Sequence, residues 1–144
     1  MNKIVFVCLG NICRSPMAEF VMKNLTTDVK IESRTTSLWE HGNPIHRGTQ
    51  GILKQYQIPY EPTKSSQQLT RADAEKFDLI IGMNRNNIRD LKKMVPAHLH
   101  YKIHPFAVES IPDPYYTRDF EETYPRILAG CKEWLQKLKQ MDSM

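Results

Sequence analysis

Apolar and polar residues along the chain fall into two recurring patterns. Short, continuously apolar and β-branched runs bounded by polar residues mark strands covered on both faces; Ile4 to Cys8 is the first, and Phe77 to Met83 repeats it. Elsewhere the apolar positions take helical spacing. Met17, Phe20, Val21 and Leu25 follow a Ser15-Pro16 helix start, and two more helices are predicted around Gly48 to Gln57 and Asn87 to Met94. Extended segments are expected at Val29 to Thr35 and within Leu99 to Phe106. From Asp119 onward, Phe120, Tyr124, Ile127, Leu128, Cys131, Trp134, Leu135 and Leu138 make one stripe of a long C-terminal helix, which reads as core. Pro59 to Gln68 carries the least pattern and is assigned to loop. Strands alternating with helices predict an α/β fold, a parallel sheet with helices on both faces.

Composition narrows this to one unit. A chain of 144 residues with 40% apolar residues can bury one proper core, so residues 1–144 are expected to form a single domain. The balance of 20 basic against 16 acidic side chains, a net +4, leans towards acidic ligands. The basic stretch Arg89-Asp90-Leu91-Lys92-Lys93 is interrupted by an acid and reads as a solvated helix face, so no nucleic-acid partner is expected. Three cysteines, an odd number, without a recognisable secretion signal argue for a reduced, cytoplasmic setting, with export by another route left open. No apolar stretch approaches the roughly 20 residues that cross a bilayer. No membrane partner is expected, and monomer is the default.

The candidate chemistry lies where the first strand ends. Ligands of open parallel sheets bind beyond the carboxyl ends of the strands, and Cys8 sits at such an end. The segment Cys8-Leu9-Gly10-Asn11-Ile12-Cys13-Arg14-Ser15 then forms a short loop running into a helix start. Such a loop can turn its backbone N–H groups inward around an anion, and the helix N-terminus adds partial positive charge. Gly10 and Asn11 suit the bend. Arg14 can grip two phosphate oxygens with its planar guanidinium. A Cys8 thiolate at the centre of these donors is stabilised and becomes a nucleophile. A buried thiol that merely closes a strand would leave the Gly-Asn bend, Arg14 and the Ser-Pro start unexplained.

CLGNICRSPMAE, with the later DPYY, resembles the low-molecular-weight protein tyrosine phosphatases over nearly the whole chain. That resemblance implies a three-layer, flavodoxin-like fold with a four-stranded parallel sheet, chemistry without metal or cofactor, phosphotyrosine proteins or peptides as substrates and inorganic phosphate as product. It makes Cys8 the attacking nucleophile and Arg14 the phosphate grip, and it has Leu9, Gly10, Asn11, Ile12, Cys13 and Ser15 complete the phosphate loop. Cys13 becomes a redox partner able to form a reversible disulfide with Cys8. In many relatives a His supports the loop Ser through a second Ser; Ser33 can match that Ser, but the His position falls near Pro62.

Ester cleavage also needs a proton for the leaving oxygen. Asp113, held between Pro112 and Pro114 and followed by Tyr115 and Tyr116, is the candidate general acid, on which the resemblance agrees. A protonated Asp113 facing an ionised Cys8 predicts a bell-shaped pH profile with an acidic maximum. By resemblance Leu9, Ile12, Trp39, Tyr115 and Tyr116 wall the substrate slot; for Trp39, core packing is an equal alternative. His41 and His46, near Trp39, read as exposed loop residues, with contacts at the rim of the slot as the alternative. Protein-arginine phosphatases resemble the same motif but carry Thr where this chain has Ile12, and arsenate reductases need a cysteine relay that Cys131 alone does not supply. A non-catalytic phosphotyrosine-binding module would lack Cys8, Arg14 or Asp113, and all three are present. A thiol redox protein would need C-x-x-C spacing, which Cys8 and Cys13 do not have.

Overall fold

A computed structural model describes residues 3–10 and 12–142. Four strands, β1 (Lys3–Cys8), β2 (Lys30–Thr35), β3 (Leu79–Gly82) and β4 (Ile103–Pro105), form one parallel sheet in the order β2-β1-β3-β4. The helices are α1 (Arg14–Leu25), α2 (Arg47–Gln55), α3 (Arg71–Lys76), α4 (Arg85–Met94), α5 (Pro114–Thr117) and α6 (Phe120–Asp142), with a 3-10 turn at Ala97–Lys102.

The unbroken apolar run of β1 has a direct cause, since alternate side chains of a strand point to opposite faces. Ile4, Phe6 and Cys8 join the cluster formed with α1, α2 and α6, while Val5 and Val7 join the one formed with α3, α4 and the 3-10 turn. Both faces are covered, so both sets must be apolar. In α6 the expected stripe faces the first cluster: Tyr124, Ile127, Cys131, Trp134 and Leu138 are buried, and the Trp134 indole donates to the Phe106 carbonyl at 2.8 Å.

The elements differ from the sequence-based expectation in several places. The Phe77–Met83 strand shortens to Leu79–Gly82, because Phe77 already caps α3 and is turned into the second cluster. The fourth strand occupies only Ile103–Pro105; Pro96 starts a 3-10 turn where extension was expected. The second helix ends at Gln55 rather than Gln57, which turns into left-handed backbone at φ 56°. Helices α3 and α5 were not anticipated. Helix α3 is closed by a capping box in which Thr70 accepts from the Asp73 N–H and Asp73 accepts from the Thr70 N–H.

Strand β1 is followed in sequence by β2 on one side and by β3 on the other. Its carboxyl end is therefore the point where the winding direction switches, which opens a crevice outside the sheet. Cys8 is the last residue of β1 and faces that crevice.

Candidate functional site

A cleft of about 110 Å³ lies at this switch point, lined by Cys8, Leu9, Gly10, Ile12 and Cys13 on one side and by Trp39, Glu40, Asp113, Tyr115 and Tyr116 around its mouth. The loop from Cys8 thus meets the distant Asp113 segment across one cavity. The expected loop role of Asn11 lies outside the described residues.

Cys8 is almost fully buried, and its Sγ lies 3.0 Å from the Ser15 hydroxyl. Ser15 opens α1 and also donates to the Arg34 carbonyl at a long 3.5 Å. Arg14, 1% exposed, gives one terminal nitrogen to the Ile111 carbonyl at 3.0 Å and the other to Asp113 Oδ2 at 3.3 Å. Its Nε is buried without a hydrogen-bond partner among the described residues. A buried guanidinium N–H without an acceptor is costly. The donor set fits an anion beside Cys8, because a phosphate oxygen would supply that acceptor.

Asp113 is placed by its own short element. It is the N-cap of α5, with Pro114 as first helical residue and its Oδ1 accepting from the Tyr115 N–H at 3.0 Å. The cap, the Arg14 contact and the proline hold one carboxylate at the mouth of the cleft. Tyr115 and Tyr116 follow as exposed rings, edge to face at 5.2 Å. Trp39 is 77% exposed at the cleft mouth, which removes the core-packing alternative. Cys131 is fully buried in the α6 stripe, and its thiol donates to the Ala18 carbonyl at 3.6 Å.

Cys13 lines the cleft but is 3% exposed. Burial, reinforced by the Asp113 and Cys8 charges, pushes its thiol far above the ordinary value, so it stays protonated at neutral pH. Cys8, Cys13 and Cys131 form no disulfide.

Several site residues escaped the sequence reading. Glu40 reaches over the loop, with its Cγ 3.2 Å from where a Cβ on Gly10 would stand; that close approach is why glycine suits position 10. His46 is half-buried rather than exposed. Its backbone N–H donates to the Ile12 carbonyl at 2.8 Å, its Nδ1 accepts from the Gly48 N–H at 2.9 Å, and its ring stacks on Phe120 at 5.0 Å. Beneath the loop, Ser33 donates to Glu19 at 2.5 Å. The position near Pro62 offers no imidazole. Lys64, two residues on, places its Nζ 3.0 Å from the Ser33 carbonyl and 3.2 Å from Glu19. Burial lowers the Lys64 pKa, and the Glu19 charge opposes that shift.

Comparison with known proteins agrees with this geometry. Residues 3–143 match the family model for the low molecular weight phosphotyrosine protein phosphatases. The low molecular weight protein-tyrosine-phosphatase PtpA of Staphylococcus epidermidis is 40% identical over 141 residues, covering 91% of this chain and 90% of that protein. Among solved structures, the low molecular weight protein tyrosine phosphatase SP-PTP from Streptococcus pyogenes superposes with a TM-score of 0.91 at 55% identity, over 96% of this chain and 93% of that one. Vibrio vulnificus Wzb in complex with benzylphosphonate superposes with a TM-score of 0.87 at 30% identity, over 94% and 98% of the two chains.

Proposed function

The chain belongs to the low molecular weight phosphotyrosine protein phosphatases, and from that premise we propose how its own residues hydrolyse phosphotyrosine. The observation that carries the reading is the buried Arg14, fastened to Asp113 across the cleft from Cys8 with its Nε unmatched among the described residues. The phosphate enters beside Cys8 and takes the Arg14 donors together with backbone N–H groups of the loop that runs from Cys8 into α1. The Cys8 thiolate attacks phosphorus, forming an S–P bond as the bond to the leaving oxygen breaks. Asp113 donates its proton to that oxygen, so the tyrosine departs neutral. Asp113, now a carboxylate, then takes a proton from water as it attacks the phosphocysteine, releasing inorganic phosphate and Cys8.

Burial of Cys8 below a rim formed by Trp39, Tyr115 and Tyr116 supports an aryl ester, since a phosphorylated ring reaches a deep nucleophile more easily than a short Ser or Thr phosphate. The benzylphosphonate held by the Vibrio relative resembles such an ester, with a phosphonate one methylene away from an aromatic ring. No metal is needed in this scheme. We also propose that residues 1–144 work as one cytoplasmic domain and a monomer; among the described residues no helix is long and apolar enough to cross a membrane.

Regulation follows from the neighbouring thiols. Peroxide oxidises the Cys8 thiolate to a sulfenic acid, which condenses with the Cys13 thiol, losing water and forming a disulfide before further oxidation. Cys13→Ser should make peroxide inactivation harder to reverse with thiols; equal recovery in both proteins would contradict this.

The function is tested by turnover of phosphotyrosine, phosphoserine and phosphoarginine peptides, with Cys8→Ser as control. Preference for phosphotyrosine is expected. Preference for phosphoarginine would overturn the substrate while sparing the mechanism.

A further inference from the structure

A trans peptide unit is planar, so its carbonyl and its N–H point in opposite directions. Fixing a loop carbonyl outward therefore turns the next residue's N–H inward. Several described carbonyls of the phosphate loop are fixed from outside. The Cys8 carbonyl accepts from the Thr36 N–H at 3.1 Å, and the Ile12 carbonyl from the His46 N–H at 2.8 Å. The Leu9 carbonyl takes the Ser37 N–H at 3.3 Å, the Ser37 hydroxyl at 2.8 Å and the Thr35 hydroxyl as well. The Gly10 carbonyl accepts from the Ser66 hydroxyl at 2.8 Å, and the Cys13 carbonyl accepts from the Thr49 hydroxyl at 3.2 Å beside the Met17 N–H of α1, also at 3.2 Å.

Of the four hydroxyl donors, Thr35 and Ser37 belong to β2 and the residues after it, whereas Thr49 and Ser66 come from other parts of the chain. Thr49 lies in the first turn of α2 and is fully buried; Ser66 is 1% exposed in the unpatterned segment 59–68. The backbone of Ser66 is itself locked, its N–H donating to the Asn43 carbonyl at 2.8 Å and its carbonyl accepting from the Gly42 N–H at 2.9 Å. Its hydroxyl consequently points from a fixed place. Among the described residues Ser66 is the one donor to Gly10, whereas Leu9 has three.

We propose that Ser66 and Thr49 are positioning residues that aim the backbone N–H groups of the phosphate loop by holding the Gly10 and Cys13 carbonyls from outside. The proposal rests on the phosphatase reading above. It gives the segment 59–68 a task that its lack of apolar pattern conceals: it straps the loop from the side opposite the anion. Neither residue touches substrate. Their effect falls on phosphate affinity and on the transition state, where pre-aimed donors are worth most.

Thr49 provides a clean contrast. Thr49→Val keeps the shape and removes the donor, whereas Thr49→Ser keeps the donor and loses a methyl group. In the full chain, inhibition of p-nitrophenyl phosphate hydrolysis by inorganic phosphate should weaken about tenfold in Thr49→Val and in Ser66→Ala, the scale of one lost buried hydrogen bond. Thr49→Ser should inhibit like the parent, even if its melting temperature falls. Equal inhibition constants in Thr49→Val and the parent, or a larger change in Thr49→Ser than in Thr49→Val, would overturn the proposal. Should Ser66→Ala not fold, the Thr49 pair decides alone. Failure of the parent to hydrolyse p-nitrophenyl phosphate would instead sink the phosphatase reading, and the inference with it.

Discussion

The two sides of the cleft are built differently. On the phosphate side, Cys8, Cys13, Arg14 and Ser15 are buried, and the described loop carbonyls are fastened to β2, α2 and the 64–68 segment. At the mouth, where we propose the substrate is met, Tyr115, Tyr116 and Trp39 stand 47%, 67% and 77% exposed, carried on the single turn of α5 and on an open loop. The reacting group is the same for every substrate, so its site can be rigid; the remainder of each partner differs, and exposed rings can adapt to it. Arg14 joins the two sides through Asp113.

Changes on the phosphate side should cost most. Cys8→Ser should lower kcat on the order of 10⁴-fold or more, as loss of a nucleophile does elsewhere. Arg14→Lys should cost about 10²- to 10³-fold, because a point charge replaces a fork of donors. Steady-state kinetics on p-nitrophenyl phosphate measures both. Asp113→Asn removes the acid and weakens the Arg14 contact, and should cost about 10²-fold or more with a poor leaving group. With an activated aryl ester that loss should shrink. An equal loss for both esters would remove Asp113 as the acid.

Trp39→Ala should sharpen the contrast from the exposed side, changing the ranking among phosphotyrosine peptides a few-fold while leaving p-nitrophenyl phosphate nearly untouched, the scale expected of a half-solvated contact. Unchanged peptide ranking would detach Trp39 from recognition.

The smallest effect belongs to the buried thiols. Burial raises the Cys13 and Cys131 pKa values above the ordinary 9.0, so folding favours their neutral forms. Their contribution to stability is full below pH 9.0 and is lost as pH rises past it, because the unfolded thiols ionise first. Each thiol should add about 1.4 kcal/mol per pH unit to the alkaline loss. Urea melts at two alkaline pH values should show a shallower slope in Cys131→Ala.

What the sequence revealed followed from what each part buries. The β1 run and the α6 stripe were legible because apolar periodicity marks them, and the phosphate loop because its residues are contiguous. Asp113 was found through its prolines and tyrosines. Strand β4 was misjudged because three half-exposed or exposed residues, Ile103, His104 and Pro105, carry no apolar signature. Helix α3 had a usable signal, Thr70 three residues before Asp73, that was passed over. Ser66 and Thr49, which bond loop carbonyls, and Lys64, which bonds the Ser33 carbonyl, act through single polar atoms. Nothing in local spacing announces such contacts, since their partners lie 56, 36 and 31 residues away.

The central claim is that Cys8 carries the phosphoryl group in transit. Rapid quenching of the parent and of Asp113→Asn during turnover, followed by peptide mass mapping, tests it most directly. The account predicts one phosphoryl group on the peptide containing Cys8, absent from Cys8→Ser. Steady turnover with no phosphoryl group on that cysteine, or full turnover in Cys8→Ser, would contradict it.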